Sequence, residues 1–386
     1  MKILAVTLYG SLKGGANRSF FMVVNELKNK YGHDVVVAAG DGVLREKCEE
    51  KNIRFQAVKF PKIITVFTGG IKDVAKKAKV WLKSLQVYLK VLFSINKYRK
   101  EKFDLVYING TEAVFGWYIA KLLKIPFVWH IRGLLRKGDC FVSGQTKKLN
   151  DKNGKLIVIS NAMLKSIPEL FGVDKSQVVL VHNGIDWEDN NLISSQKREN
   201  GIHCVICGRI MRVKGHMEAV EALNILKNNG INNVYIHVAG DICDGNSEYL
   251  ELVKSKIDEY QLNDRVVFEG QVEDMSSFRQ NMNIELMCSE CEPFGRVTLE
   301  GMHSGLVVIG ANTGGTIDII QDGVNGLLYE QGNAQDLAQK IMTVIENVDL
   351  SKRLASDAIE FSKTHFTVEQ NVSAINDILV SQIRGR

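Results

Sequence analysis

The stretch Ser289-Glu290-Cys291-Glu292-Pro293-Phe294-Gly295-Arg296-Val297-Thr298-Leu299-Glu300-Gly301-Met302-His303-Ser304-Gly305 decides how this chain is read. It sets two carboxylates, Glu292 and Glu300, eight positions apart with Pro293-Phe294-Gly295 between them. Ahead of it lies Asn283-Ile284-Glu285-Leu286-Met287-Cys288, a mostly apolar run that predicts a strand. Behind it, a helix is predicted to start near Gly295, followed by the strand-like Leu306-Val307-Val308-Ile309-Gly310. Strand, tight turn and helix N-terminus together hold anions, because first-turn N–H groups and the positive end of the helix dipole point at the ligand. Glu292 falls in the turn, and Glu300 about 7–10 Å further along at about 1.5 Å per residue. Two acids so spaced bracket a polyhydroxylated ligand and do not share a proton.

Outward from this segment the same alternation continues. Strand signals at 203–208, 234–239, 266–270, 284–288 and 306–309 interleave with helical patterns at 216–227, 249–260, 275–281 and 334–346. The tail, 351–386, reads as helical with a break near Thr364-His365-Phe366-Thr367. The first half alternates too. Strands are predicted at 2–9, 35–39, 55–60, 103–109, 126–131, 156–160 and 178–182, and helices at 17–31, 72–99, 111–124 and 161–171. Such βα alternation means parallel sheets covered by helices on both faces. The polar segment 187–201 lacks apolar periodicity and reads as a linker. Two α/β domains facing each other across a cleft follow, with ligands at the carboxyl ends of the strands.

The 386 residues suffice for two domains of ordinary size. No apolar run approaches the ~20 residues that span a bilayer. Lys2 to Tyr9 reads directly as a strand, without a signal-peptide pattern, so a cytoplasmic location is expected. Seven cysteines fit a reducing compartment, with thiols serving as small apolar residues. Zinc is set aside for both C-x-x-C pairs. Cys204 and Cys207 fall three apart in a strand and so face opposite sides. Cys288 and Cys291 straddle a strand end with no neighbouring His to complete a ligand set.

Charge is unevenly spread. Residues 1–187 hold 32 Lys and Arg against 15 Asp and Glu (+17), and residues 188–386 hold 17 against 29 (−12). An anionic partner for the first half is implied. From Lys72 to Lys102 there are ten basic residues and two acids, Asp73 and Glu101. Val74, Ala78, Trp81, Leu82, Leu85, Tyr88, Leu89 and Leu92 recur among them at helical spacing. This pattern suits a helix lying on an anionic membrane surface, which would make the protein peripheral at the inner face of the cell membrane. It suits equally the solvated face of a packed helix. No nucleic-acid reading motif accompanies the charge, so nucleic acid is not expected as a partner.

In Gly208-Arg209-Ile210-Met211-Arg212-Val213-Lys214-Gly215-His216, Arg209 and Lys214 sit where a strand passes into a helix. Arg209 can fork onto a diphosphate and Lys214 can add a point charge. A lone pair of this kind also describes an ordinary solvated loop. Its place at the mouth of the sheet that carries Glu292 and Glu300 gives it weight.

These segments, with Thr313-Gly314-Gly315-Thr316-Ile317-Asp318-Ile319-Ile320-Gln321-Asp322-Gly323-Val324-Asn325-Gly326, resemble the retaining glycosyltransferases of family 4, which have the GT-B fold. Gly14-Gly15-Ala16, Trp129-His130 and Asn183-Gly184-Ile185-Asp186 agree, and the resemblance spans the chain in order. It implies an α/β protein with two Rossmann-like domains: an acceptor-binding domain at 1–187 and a nucleotide-sugar-binding domain at 188–365. The helix at 366–386 would pack back on the first. It implies that Arg209 and Lys214 bind the donor diphosphate and that Glu300 takes the ribose hydroxyls. Glu292 would lie beside the transferred sugar, with the N–H groups of Phe294 and Gly295 reaching its hydroxyls. Gly15 would admit the phosphates, His130 would face the sugar, and Gly270 would lie near the base. Read without the resemblance, His130 is an ordinary strand-end histidine and Gly14-Gly15 and Gly314-Gly315 are tight turns. Asp318 stands where the family often has glutamate and is assigned no contact. Ile131-Arg132 follow His130 in place of the commoner acidic residue.

The implied activity is retaining, metal-independent hexosyl transfer from a UDP- or GDP-sugar to a glycan or lipid-linked acceptor, in surface polysaccharide or glycolipid assembly. No cofactor is implied. A glycoside hydrolase, whose retaining form needs carboxyl groups about 5–5.5 Å apart, fits the acid spacing poorly. A non-catalytic nucleotide-sugar-binding relative and a dinucleotide oxidoreductase are the other readings, and the latter lacks G-x-G-x-x-G in the first loop.

Overall fold

The computed structural model describes residues 1–12, 14–70, 72–185, 201–243 and 245–384. Asp186 and, apart from Gly201, the linker expected at 187–201 lie outside the described residues. The chain divides into two units, Met1–Gly184 with Val368–Arg386, and Ile185–Thr367.

In the first unit the strands are β1 (Lys2–Val6), β2 (Asp34–Ala39), β3 (Arg54–Ala57), β4 (Thr65–Val66), β5 (Leu105–Asn109), β6 (Phe127–Ile131), β7 (Asp139–Cys140), β8 (Gly154–Val158) and β9 (Val178–Leu180). The helices are α1 (Gly15–Asn29), α2 (Val43–Glu50), α3 (Lys72–Glu101), α4 (Phe115–Leu123), α5 (Gln145–Leu149) and α6 (Asn161–Phe171). A parallel sheet runs in the order β3-β2-β1-β5-β6-β8-β9, and β4 pairs antiparallel with β7. The central strands are apolar throughout because both faces are covered: Ile3 to Val6, Val35 to Ala39 and Leu105 to Ile108 are all buried.

The second unit continues with β10 (Ile202–Cys207), β11 (Val234–Ala239), β12 (Val266–Gly270), β13 (Ile284–Met287), β14 (Val307–Ala311) and β15 (Leu327–Tyr329). Its helices are α7 (His216–Asn228), α8 (Ser247–Glu259), α9 (Met275–Arg279), α10 (Arg296–His303), α11 (Thr316–Ile319), α12 (Ala334–Glu346) and α13 (Val348–Thr364). The sheet is parallel in the order β12-β11-β10-β13-β14-β15, the Rossmann-like arrangement. Cys204 faces one core layer with Ala219, Leu223 and Ile236, while Cys207 faces the other with Met282 and Leu306.

The last helix, α14 (Val368–Arg384), belongs to the first unit. Val372, Ile375 and Leu379 join a core with Ile3, Phe20 and Val24. Asn376 Oδ1 lies 2.8 Å from His33 Nε2, and Lys30 pairs with Glu369 at 2.6 Å.

Two expectations are corrected. The edge strand predicted at 55–60 ends at Ala57, because its partner β2 ends at Ala39, the residue paired with Ala57. The helix predicted from 111 begins at Phe115, with a tight first turn in which the Gly116 and Trp117 N–H groups donate to the Ala113 and Val114 carbonyls. In α3 the packed face is Val80, Ser84, Val87, Val91, Ile95 and Tyr98, a stripe separate from the one singled out from periodicity. Trp81, Leu82, Leu85, Leu89 and Leu92 of that stripe are exposed. The helix carries two apolar stripes, and the β-branched one enters the core.

Candidate active site

Each sheet has a switch point where chain order reverses, and in such sheets ligands bind beyond the carboxyl ends of the strands there. In the second unit the switch lies between β10 and β13. The loop after β10 carries Arg209 and Lys214, and the loop after β13 carries Glu292. Both loops feed a helix N-terminus, α7 and α10, and no side chain caps either one. Their first turns therefore present peptide dipoles at the head of the sheet.

Lys214 Nζ lies 2.6 Å from Glu292 Oε2, with both side chains only partly exposed. The two residues to which separate ligands were assigned thus neutralise each other. The loops bearing them are in backbone contact: Glu290 N–H donates to the Val213 carbonyl at 3.0 Å. Gly215, at φ 72°, starts α7 so close to β13 that a Cβ there would stand 2.0 Å from the Cys288 carbonyl oxygen. From the other side, Gly315 N–H donates to the Glu292 carbonyl at 2.7 Å. A Cβ on Gly314, at φ 59°, would lie 2.6 Å from that same oxygen. Gly314-Gly315 is thus more than a turn, since it holds the backbone of Glu292 in place.

Glu300 lies in α10 and is gripped by arginines. Arg279 Nη2 is 3.2 Å from Glu300 Oε2, and Arg296 Nε is 3.7 Å from Oε1. Arg279 is buried and also donates through Nε to Glu285 Oε2 at 2.9 Å. Burial alone would favour a neutral guanidinium, but the carboxylates of Glu285 and Glu300 hold it charged. Arg279 was not foreseen. The one signal was Glu285, a charge inside an otherwise apolar central strand, which must find a partner when buried.

The remaining residues of this unit take these places. Arg209 is exposed, with Nη1 3.7 Å from Cys243 Sγ. Phe294 is buried edge-on against Phe366 at 5.5 Å, so its ring packs and only its backbone is available to a ligand. Gly295, at φ 99°, is the residue that starts α10. Gly270 ends β12 at φ 64°, and Asp241 Oδ1 is 3.8 Å from where its Cβ would stand. His216, the first residue of α7, is pushed down to about 4 by burial and then by Lys214, so it is neutral at pH 7.

In the first unit the switch lies between β1 and β5. Gly15 is exposed at the start of α1, and Gly14 before it has open space around it. Asn17, not foreseen, secures the preceding loop. It accepts from Thr7 Oγ1 at 3.0 Å and donates to the carbonyls of Tyr9 and Ser11 at 3.1 and 2.8 Å. His130 in β6 is fully buried, with Nδ1 2.8 Å from the Tyr107 hydroxyl. Burial, then the nearby Arg132, push its pKa well below the usual imidazole value. Arg132 is buried too, donating to Asn109, Asn183 and Tyr107. This unit therefore holds a buried cation beside His130, among two amides and a phenol.

The second unit's residues match the family model described as glycosyl transferases group 1 over 188–361, and the first unit's match Glycosyltransferase Family 4 over 13–189. N-acetyl-alpha-D-glucosaminyl L-malate synthase of Bacillus anthracis is 30% identical over 305 residues, 74% of this chain and 77% of that one. The capsular polysaccharide biosynthesis glycosyltransferase CapM of Staphylococcus aureus is 27% identical over 240 residues, 59% of each. The crystal structure of Anabaena HepE in complex with UDP superposes with a TM-score of 0.78 at 23% identity, covering 99% of this chain and 100% of that one. The chain belongs to the GT-B glycosyltransferases.

Proposed function

We propose that the protein is a retaining glycosyltransferase that moves a hexosyl group from a nucleotide diphosphate donor, a UDP- or GDP-sugar, to an acceptor hydroxyl. The observation that carries this reading is the Lys214–Glu292 pair, set between two uncapped helix N-termini at the switch point. A diphosphate arriving there would take Lys214 and Arg209, and Glu292 would be released to the sugar hydroxyls. Glu300, oriented by Arg279, would accept from the ribose hydroxyls. Phe294 and Gly295 would offer N–H groups to the sugar, Gly270 would border the base, and Gly15 would leave room for the phosphates. His130, held neutral, would donate to or accept from the sugar without adding charge.

As the glycosidic bond breaks, negative charge grows on the leaving diphosphate, which Arg209, Lys214 and the helix dipoles would stabilise. The acceptor hydroxyl attacks from the same face and gives its proton to the departing phosphate oxygen, so the anomeric configuration is kept. Because these cations meet the leaving-group charge, the reaction is proposed to need no metal. The relationship to CapM supports an acceptor in surface polysaccharide or glycolipid assembly. The UDP bound by the similarly folded HepE supports a nucleoside diphosphate leaving group.

A thermal-shift screen of nucleotide-sugars tests the donor, since a ligand at about 100 times its Kd adds about 2.7 kcal/mol. NMR of the product made with EDTA present then reads the anomeric configuration. Stabilisation by a nucleotide-sugar and a retained anomer are expected. An inverted anomer, or activity lost to EDTA and restored by a divalent cation, overturns the corresponding part of the reading. Stabilisation without turnover for any acceptor would favour a non-catalytic binder, and sugar release from an oligosaccharide without nucleotide would favour a hydrolase.

A further inference from the structure

The outward side of α3 is the largest feature that the donor site leaves unexplained. The helix is 30 residues long, about 45 Å. Its inward stripe fills the core, yet Trp81, Leu82, Leu85, Leu89, Leu92 and Phe93 face solvent, with Leu82 58% and Phe93 86% exposed. At about 100° per residue these side chains form one continuous band, and Lys72, Lys79 and Lys97 form a second beside it. Among the described residues no helix is long and apolar enough to cross a membrane.

We propose that this face of α3 lies on an anionic lipid surface, with the apolar band in the headgroup boundary and the lysines on lipid phosphates. The charge distribution selects this occupant. Asp73 is the one acid from Lys72 to Lys100, and it is buried, accepting from the Thr68 and Gly69 N–H groups. Glu101, at the end of the helix, is held by Lys2 and Arg54. The band and its edge therefore offer cations and no carboxylate. A second copy docked on the same face would set like charges against each other, whereas anionic lipid complements them. Lys76, Lys83 and Lys90 are used otherwise, donating to the carbonyls of Val66, Lys62 and Lys59 and fixing the neighbouring segment. The helix is thus docked on its own domain through one flank while the apolar band stays open. This inference does not rest on the sugar-transfer reading and is tested without it.

The test is co-sedimentation of the full chain with phosphatidylcholine vesicles, with and without phosphatidylglycerol. Binding only to the anionic vesicles is expected, weakening with salt. Lys72→Gln/Lys79→Gln/Lys97→Gln should weaken it about a hundredfold, at roughly 1 kcal/mol per cation at the surface. Leu82→Gln/Phe93→Gln should weaken it about tenfold or more while leaving thermal stability unchanged, since both side chains are exposed. Trp81 emission should shift to the blue on binding, and Trp81→Phe should keep the binding but lose the shift. Equal weak binding to both vesicle types overturns the proposal. So does a Leu82→Gln/Phe93→Gln protein that binds vesicles normally but has changed from dimer to monomer, which would make a second copy the occupant.

Discussion

Lys214 Nζ sits 2.6 Å from Glu292 Oε2, tying the loop after β10 to the loop after β13 across 78 positions of chain. On the proposed reading the pair takes a divided role, because a diphosphate would compete for the cation and a sugar hydroxyl for the anion. Lys214→Met should weaken nucleoside diphosphate binding ten- to hundredfold, the value of a charge-assisted hydrogen bond of about 1.5–3 kcal/mol. Glu292→Gln should leave that binding nearly intact and lower kcat for transfer. Calorimetry with UDP and GDP, beside transfer kinetics, separates the two. If both variants lose nucleotide affinity equally, the division is wrong.

Arg279 bridges Glu285 and Glu300 from a buried position. Arg279→Leu should cost about 3–5 kcal/mol, because the Glu285 carboxylate is left buried without its cation. Arg279→Leu/Glu285→Leu should recover most of that in urea denaturation, since a buried pair replaced by apolar residues is often neutral. Nucleotide affinity should stay reduced in the double variant, for Glu300 has still lost its guide. Full recovery of affinity would limit Arg279 to a structural role.

Gly314 packs its Cα against the Glu292 backbone in a left-handed conformation. Gly314→Ala adds a Cβ at 2.6 Å from a carbonyl oxygen and strains φ, so a loss of about 2–4 kcal/mol is expected. The KM for donor should rise even at temperatures where the variant is folded. Gly323, also at positive φ but with nothing near its Cβ, is the control. Gly323→Ala should lose only the backbone strain of about 1–2 kcal/mol and leave KM unchanged.

His216 has a folded-state pKa of about 4, against an unfolded value near 6.5. A depressed histidine binds fewer protons folded than unfolded, so its contribution is present above pH 6.5 and is lost as pH falls toward 4. About 3 kcal/mol of acid sensitivity is expected from this residue in that window. Unfolding free energies of His216→Leu at several pH values should show a flatter slope by about one proton. An unchanged slope would mean that another group, such as buried His130, carries the acid sensitivity.

Much of this was legible beforehand, for reasons that lie close together in the chain. Strand alternation and helix periodicity are local, so β10 to β14 and the break between α13 and α14 at Thr364–Thr367 were readable within a few residues. Gly295 at the start of α10 was readable too, because glycine there serves a backbone need that any sequence window reveals. The ribbon of Thr65–Val66 with Asp139–Cys140 was not, since two-residue strands leave no periodic trace.

What the sequence by itself determined is the doubly alternating α/β plan, the loop positions of Arg209, Lys214 and Glu292 and the helical position of Glu300, because a strand's or helix's pattern is complete within its own span. Tertiary structure decided the partners. It chose which of two apolar stripes of α3 enters the core, brought Arg279 to Glu285 and Glu300, seated Gly314 against Glu292 and returned α14 to the first sheet. Each of those choices depends on shape and charge arriving from elsewhere in the chain, and no local window contains that information.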